Sequence, residues 1–144
     1  MKEMVYKMDR IKEVLHKEEK DGYIIVIMSY GMHPCAYIGL PKNHKFFGLH
    51  YDDIDDIKCH FGLTFSAEGN DIMPWIENEE EKELWWIGWD YGHCNDYAPY
   101  YDDPTFNMSI INMDMELHKW TTEEILDECY DVVEQLKEVE NDNN

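Results

Sequence analysis

Residues 22–40, GYIIVIMSYGMHPCAYIGL, constrain the fold more than any other stretch. Two apolar runs rich in β-branched and aromatic residues flank a Gly-Met-His-Pro turn, which is the pattern of two paired strands. HKFFGLHY (residues 44–51) and IKCHFGLTFS (57–66) predict two more strands. The acidic DDIDD between them (52–56) reads as a solvated loop. LWWIGWD (84–90) is the most apolar strand of the second half. Its Trp85, Trp86 and Trp89 cannot share a face, because alternate side chains of a strand point oppositely. At least one tryptophan therefore lies on a second face, covered by a helix or exposed for a partner. The Gly- and Glu-containing segment 67–83 reads as a long connection that divides strands rather than domains.

Helical periodicity marks both ends of the chain. Met4, Met8, Ile11 and Leu15 recur at amphipathic spacing and predict an N-terminal helix closed near Asp21 and Gly22. Near the other end, Thr121 and Glu124 have capping-box spacing. They precede one apolar stripe of Ile125, Leu126, Cys129, Val132, Val133, Leu136 and Val139. Residues 141–144 read as a frayed tail. The expectation is one α+β domain over residues 1–144, with a central antiparallel sheet of about four to five strands carrying an N-terminal and a C-terminal helix.

Charge limits the partners. The chain has 32 acidic and 12 basic residues, for a net charge of −20. Such a surface repels phosphate backbones and anionic lipid heads, and attracts basic surfaces across a Debye length of about 8 Å at physiological salt. Direct nucleic-acid binding is disfavoured, and a basic protein groove is the favoured partner; solubility alone, or a saline habitat, also explains the acid. With 44% hydrophobic residues the chain has enough apolar content to fold. The first twenty residues lack a signal-peptide pattern and no run approaches a membrane span, so a cytoplasmic location is expected. Cys35, Cys59, Cys94 and Cys129 are scattered, which predicts reduced thiols serving as core fillers or metal ligands.

The chemistry-bearing residues follow the tryptophan strand. Asp90, His93 and Asp96 form D-x-x-H-x-x-D, and His60, on a separate segment, is the residue chosen to complete a four-ligand set. Carboxylate oxygen and imidazole nitrogen together suit zinc or a similar divalent ion. Asp and His in such a loop equally serve to hydrogen-bond the turn. Cys94 is an alternative thiolate ligand, and His33, Cys35 and His44 form a second possible cluster. There is neither a G-x-S-x-G elbow nor a Gly-rich phosphate loop. Four protein ligands make a metal site structural; three ligands and a water make it a candidate metal-dependent hydrolase of a small molecule or nucleotide.

CHFGLTFS (59–66) together with WWIGWDYGHCND (85–96) resembles a family of small phage and prophage proteins patterned H-G-G-L-T-[FY]-S followed by W-W-[IF]-G-F-D-C-A-H-x-x-D. The resemblance spans roughly residues 31–99. His60, Asp90, His93 and Asp96 fall on its His, Asp, His and Asp, whereas Phe61 replaces a Gly, Trp89 a Phe, and Tyr91-Gly92 the Cys-Ala pair. A small, acidic, phage-type protein with a metal site is also similar to anti-CRISPR proteins that inhibit Cas9. The resemblance therefore implies an acidic inhibitor, not an enzyme, in the host bacterial cytoplasm. It would block target-DNA loading onto a basic host nucleoprotein, Cas9 or its guide RNA complex, and carry a structural zinc on those four residues.

Overall fold

The computed structural model describes residues 12–31, 33–93, 96 and 117–141. Five strands form one antiparallel sheet: β1 (Glu13–Lys20), β2 (Tyr23–Ser29), β3 (Pro34–Leu40), β4 (Phe65–Glu68) and β5 (Trp85–Asp90), in spatial order β1-β2-β3-β5-β4. A four-residue helix, α1 (Glu79–Lys82), precedes β5, and a 20-residue helix, α2 (Thr122–Asn141), ends the described chain. The α+β architecture and the C-terminal helix are as expected from sequence.

The N-terminal helix is not. Its first part, residues 1–11, lies outside the described residues. Residues 13–20, which the periodicity assigned to the same helix, are strand β1, paired with β2 from Lys20↔Tyr23 to Glu13↔Ser29. The physical reason lies in Asp21 and Gly22, both with positive φ (54° and 91°). An Asp-Gly pair in that conformation makes the two-residue hairpin turn whose twist matches the flanking strands. It joins two strands where the apolar spacing suggested the end of a helix.

Two strand assignments also need correction. Residues 44–51 form successive turns, with backbone bonds from Phe47 N to His44 O and from Leu49 N to Phe46 O at 3.0 and 3.1 Å. Their apolar content is explained by Phe46, which is buried in the core, and by His44. The buried His44 ring accepts from Phe46 N at 2.9 Å through Nδ1, and its Nε2 lies 3.1 Å from Leu136 O, tying this loop to α2. Of residues 57–66, only Phe65 and Ser66 enter a strand, because a turn with positive φ at Phe61 and Gly62 interrupts the segment. The 52–56 loop is solvated except for Ile54, which points into the core.

Both faces of the sheet are covered, by different means. On one face Tyr23, Ile25, Ile27, Ala36, Ile38, Leu40, Ile87 and Trp89 meet Ile125, Cys129, Val132, Val133 and Leu136 of α2. On the other, Val26, Met28, Cys35, Tyr37 and Trp86 meet Met73 and Trp75 from the 69–84 connection. The tryptophans divide as strand alternation requires, Trp85 and Trp89 toward the helix and Trp86 away from it. The connection is fastened by Lys17 of β1, whose ammonium donates to Trp75 O and to the buried Glu81 carboxylate, both at 2.9 Å.

Helix α2 begins with a reciprocal capping box. Thr121 N donates to Glu124 Oε1 at 3.0 Å and Glu124 N to Thr121 Oγ1 at 3.1 Å. Two otherwise unpaired backbone donors are thereby satisfied. Thr121→Ala is expected to cost about 1 kcal/mol in urea denaturation. A loss below about 0.3 kcal/mol would show that the cap adds nothing.

Candidate functional site

The site lies where β5 ends. Asp90 is the last residue of that strand, and Tyr91 N continues the pairing by donating to Pro34 O at 3.0 Å. Beyond it Asp96 N donates to His93 O, and His93 N to Asp96 Oδ2, both at 3.0 Å. Gly92 is required at this point. A Cβ there would lie 2.5 to 2.8 Å from ring atoms of His33, so any side chain would displace that imidazole.

Asp96 is the hub. Only 3% exposed, its carboxylate contacts His60 Nε2 at 2.8 and 3.0 Å and accepts from Trp120 Nε1 at 2.8 Å as well as from His93 N. It thus joins three segments: the turn at 59–62, the stretch after β5 and the approach to α2. The His60 ring is clamped between neighbours, stacked on Tyr91 at 4.8 Å and edge-on to Trp120 at 4.9 Å. Beneath it, Tyr91 donates to Glu128 of α2, which also accepts from Trp89 Nε1 at 3.1 Å. Burial, and then the bond to Glu128, push the Tyr91 hydroxyl far above its ordinary pKa and keep it a donor.

The other two residues form a separate pair. His93 Nε2 lies 3.1 Å from Asp90 Oδ1 but has no partner in hydrogen-bond geometry, although the atom is buried. The Asp90 carboxylate also accepts from Gly92 N at 3.0 Å and, at 3.4 Å, from Thr64 Oγ1. The four sequence-derived residues are therefore gathered at one end of the sheet, with the His60 and His93 ring centroids 6.1 Å apart. They are arranged as two His–Asp pairs. Among the described residues no group of three or more His, Cys, Asp or Glu is placed to hold an ion. An ion held by Asp96 would take the place of its present contact with His60 Nε2.

The remaining candidates separate in part. His33 and Cys35 do meet, with Nδ1 3.8 Å from Sγ, whereas His44 packs beside Tyr23 on the helix-covered face, opposite to Cys35, and does not join them. Cys94 lies outside the described residues. Burial pushes the Cys35 thiol up to about 12, with Asp90 adding to the shift, and the Cys59 thiol likewise up to about 12, with Glu128 adding. Both stay protonated near neutrality and are poor nucleophiles.

Sequence reasoning missed Trp120 and His118. His118 pairs with Asp96 in an isolated bridge, its ring lies 4.4 Å from that of Trp120, and its Nε2 is 2.8 Å from Glu124 Oε2. Nothing in their local spacing marks them as part of the site, since the residue that ties them to it, Asp96, is more than twenty positions upstream. Phe61 stands at the rim, 61% exposed and stacked on His93 at 4.4 Å. Its φ of +57° suits glycine, the residue that the resembled pattern carries at this position. Compared with protein families, curated proteins and solved structures, the chain matches none. Among the described residues no helix is long and apolar enough to cross a membrane.

Proposed function

We propose that the protein is an acidic inhibitor that occupies a basic nucleic-acid groove of a host nucleoprotein in the bacterial cytoplasm. Cas9 or its guide RNA complex is the partner that the sequence resemblance implies, and target-DNA loading is the step blocked. The observation that carries this reading is the outer face of α2. Between Thr122 and Glu140 the most exposed residues are all acidic, Glu123, Asp127, Asp131, Glu134 and Glu138, with Lys137 pairing to Glu134 at 3.2 Å. Spaced three or four residues apart, they lie on one side of the helix, in a row about 22 Å long at a 1.5 Å rise. One phosphate strand of a duplex carries a charge per 3.4 Å of axis, so the row has a little over half that density. The inner face of the same helix is core, so the row is held by a packed support and is presented without rearrangement.

The row is not evident in the sequence, because its acids are interleaved with the apolar stripe of the same helix. A basic channel that binds nucleic acid through its backbone offers complementary potential to such a row. The test is binding of purified protein to guide-loaded Cas9 at physiological ionic strength, with the combined variant Glu123→Gln, Asp127→Asn, Asp131→Asn and Glu138→Gln. Affinity is expected to fall about ten-fold or more, mostly through the association rate, with an unchanged far-UV circular dichroism spectrum. Absence of binding by the unaltered protein, or equal binding by the variant, would overturn the reading.

A structural zinc is a separable part of this proposal. It would require the His60–Asp96 contact to open, and elemental analysis of untagged protein decides it.

A further inference from the structure

We infer that Phe61 is a preformed aromatic anchor that receives an arginine side chain of the protein's partner. The inference rests on the acidic-inhibitor reading for the kind of partner, but not on the partner's name. Among the described residues Phe61 is the one aromatic side chain among the exposed large hydrophobics, and it belongs to neither hydrophobic cluster. Its ring contacts are with His60 and His93, outside the core. Yet its backbone sits at φ +57°, a conformation costly for a bulky L-residue, and such outliers concentrate where function holds them.

The ring is also held in place. It stacks on His93 at 4.4 Å and 17°, and meets His60 edge-on at 4.9 Å. His60 in turn is clamped by Tyr91, Trp120 and the Asp96 carboxylate. An exposed ring with its orientation already fixed loses little freedom on binding, which is the property of an interface hot spot. The chain as a whole carries a net charge of −20, the Asp90 carboxylate lies 3.1 Å beyond His93, and the α2 row begins at Glu123, three residues after Trp120. An aromatic face set in a negative field selects a planar cation. Arginine stacks on aromatic faces and is weakly hydrated, whereas lysine keeps its hydration shell.

The experiment compares nona-arginine and nona-lysine peptides as probes, by fluorescence anisotropy at physiological ionic strength. The unaltered protein is expected to prefer the arginine peptide by about two- to five-fold. Phe61→Gly should abolish that preference while leaving the melting temperature unchanged or raised, since glycine accepts the positive φ without cost. Phe61→Trp should retain or increase it. Neutralising the α2 row should weaken both peptides equally and keep the preference. Equal binding of the two peptides, binding of neither, a preference that survives Phe61→Gly, or a lowered melting temperature in that variant would each overturn the inference. Failure to bind Cas9 with the arginine preference intact would instead overturn the proposed target alone.

Discussion

Asp96→Ala is expected to destabilise the protein by about 2 to 4 kcal/mol, because each buried donor left without its acceptor costs roughly 1 to 3 kcal/mol. The carboxylate is 3% exposed and receives His60, Trp120 Nε1 and His93 N. Deleting it leaves an indole N–H and an imidazole without their acceptor in a place that water enters poorly, and unlinks the 59–62 turn from the start of α2. Asp96→Asn should lose less, because an amide oxygen still accepts from Trp120. Urea denaturation followed by tryptophan fluorescence gives the measurement. A loss below about 1 kcal/mol would mean that the carboxylate is not what holds these segments together. The same experiment interrogates the metal. If the contacts seen here suffice, a chelator leaves the unaltered protein's melting temperature in place; a fall matching that of Asp96→Ala would show that Asp96 acts through an ion.

Trp89→Ala should have an effect of similar size by a different route. Trp89 is 1% exposed at the centre of the helix-covered face, among Ala36, Ile87, Cys129 and Val133. Truncating a buried tryptophan removes its transfer free energy and leaves a cavity, together about 3 to 5 kcal/mol. At about 2 to 4 °C per kcal/mol for a chain of this size, the melting temperature should fall by roughly 10 °C. The loss is compounded because Trp89 Nε1 also donates to Glu128 Oε1 at 3.1 Å. Trp89→Phe keeps most of the ring and removes that donor, so it should recover more than half of the deficit. Equal losses for Ala and Phe would place the energy in the Glu128 network rather than in packing.

What the chain discloses before folding is uneven for identifiable reasons. The β2–β3 pair, β5 and α2 are legible because each is specified locally, by β-branched runs, by alternation that splits Trp86 from Trp85 and Trp89, or by the Thr121–Glu124 box. Strand β1 was misread because Leu15 fits a helical period by spacing alone, while the stronger signal was the two-residue turn at Asp21-Gly22. Residues 44–51 look like a strand because they are apolar, but Phe46 and His44 serve the core from a string of turns. At the site, spacing brought Asp90, His93 and Asp96 together, and His60 was chosen from a distant segment. Their division into two pairs depends on Trp120, whose indole reaches Asp96 across 24 residues. The exposure of Phe61 and the acidity of the outer face of α2 become visible only once the helix has a buried side.

Among the described residues, strand β4 pairs with no strand but β5, which follows it in the chain and joins it to the β1-β2-β3 meander. The meander can assemble from neighbouring segments as they emerge, but Phe65–Glu68 has no template until Trp85–Asp90 has docked on β3. At this edge of the sheet an earlier segment depends on a later one for its pairing. The 59–62 turn leads directly into β4, so the placement of His60 and Phe61 rests on a strand that follows them in the chain, and a chain interrupted before residue 85 has the meander strands without the site.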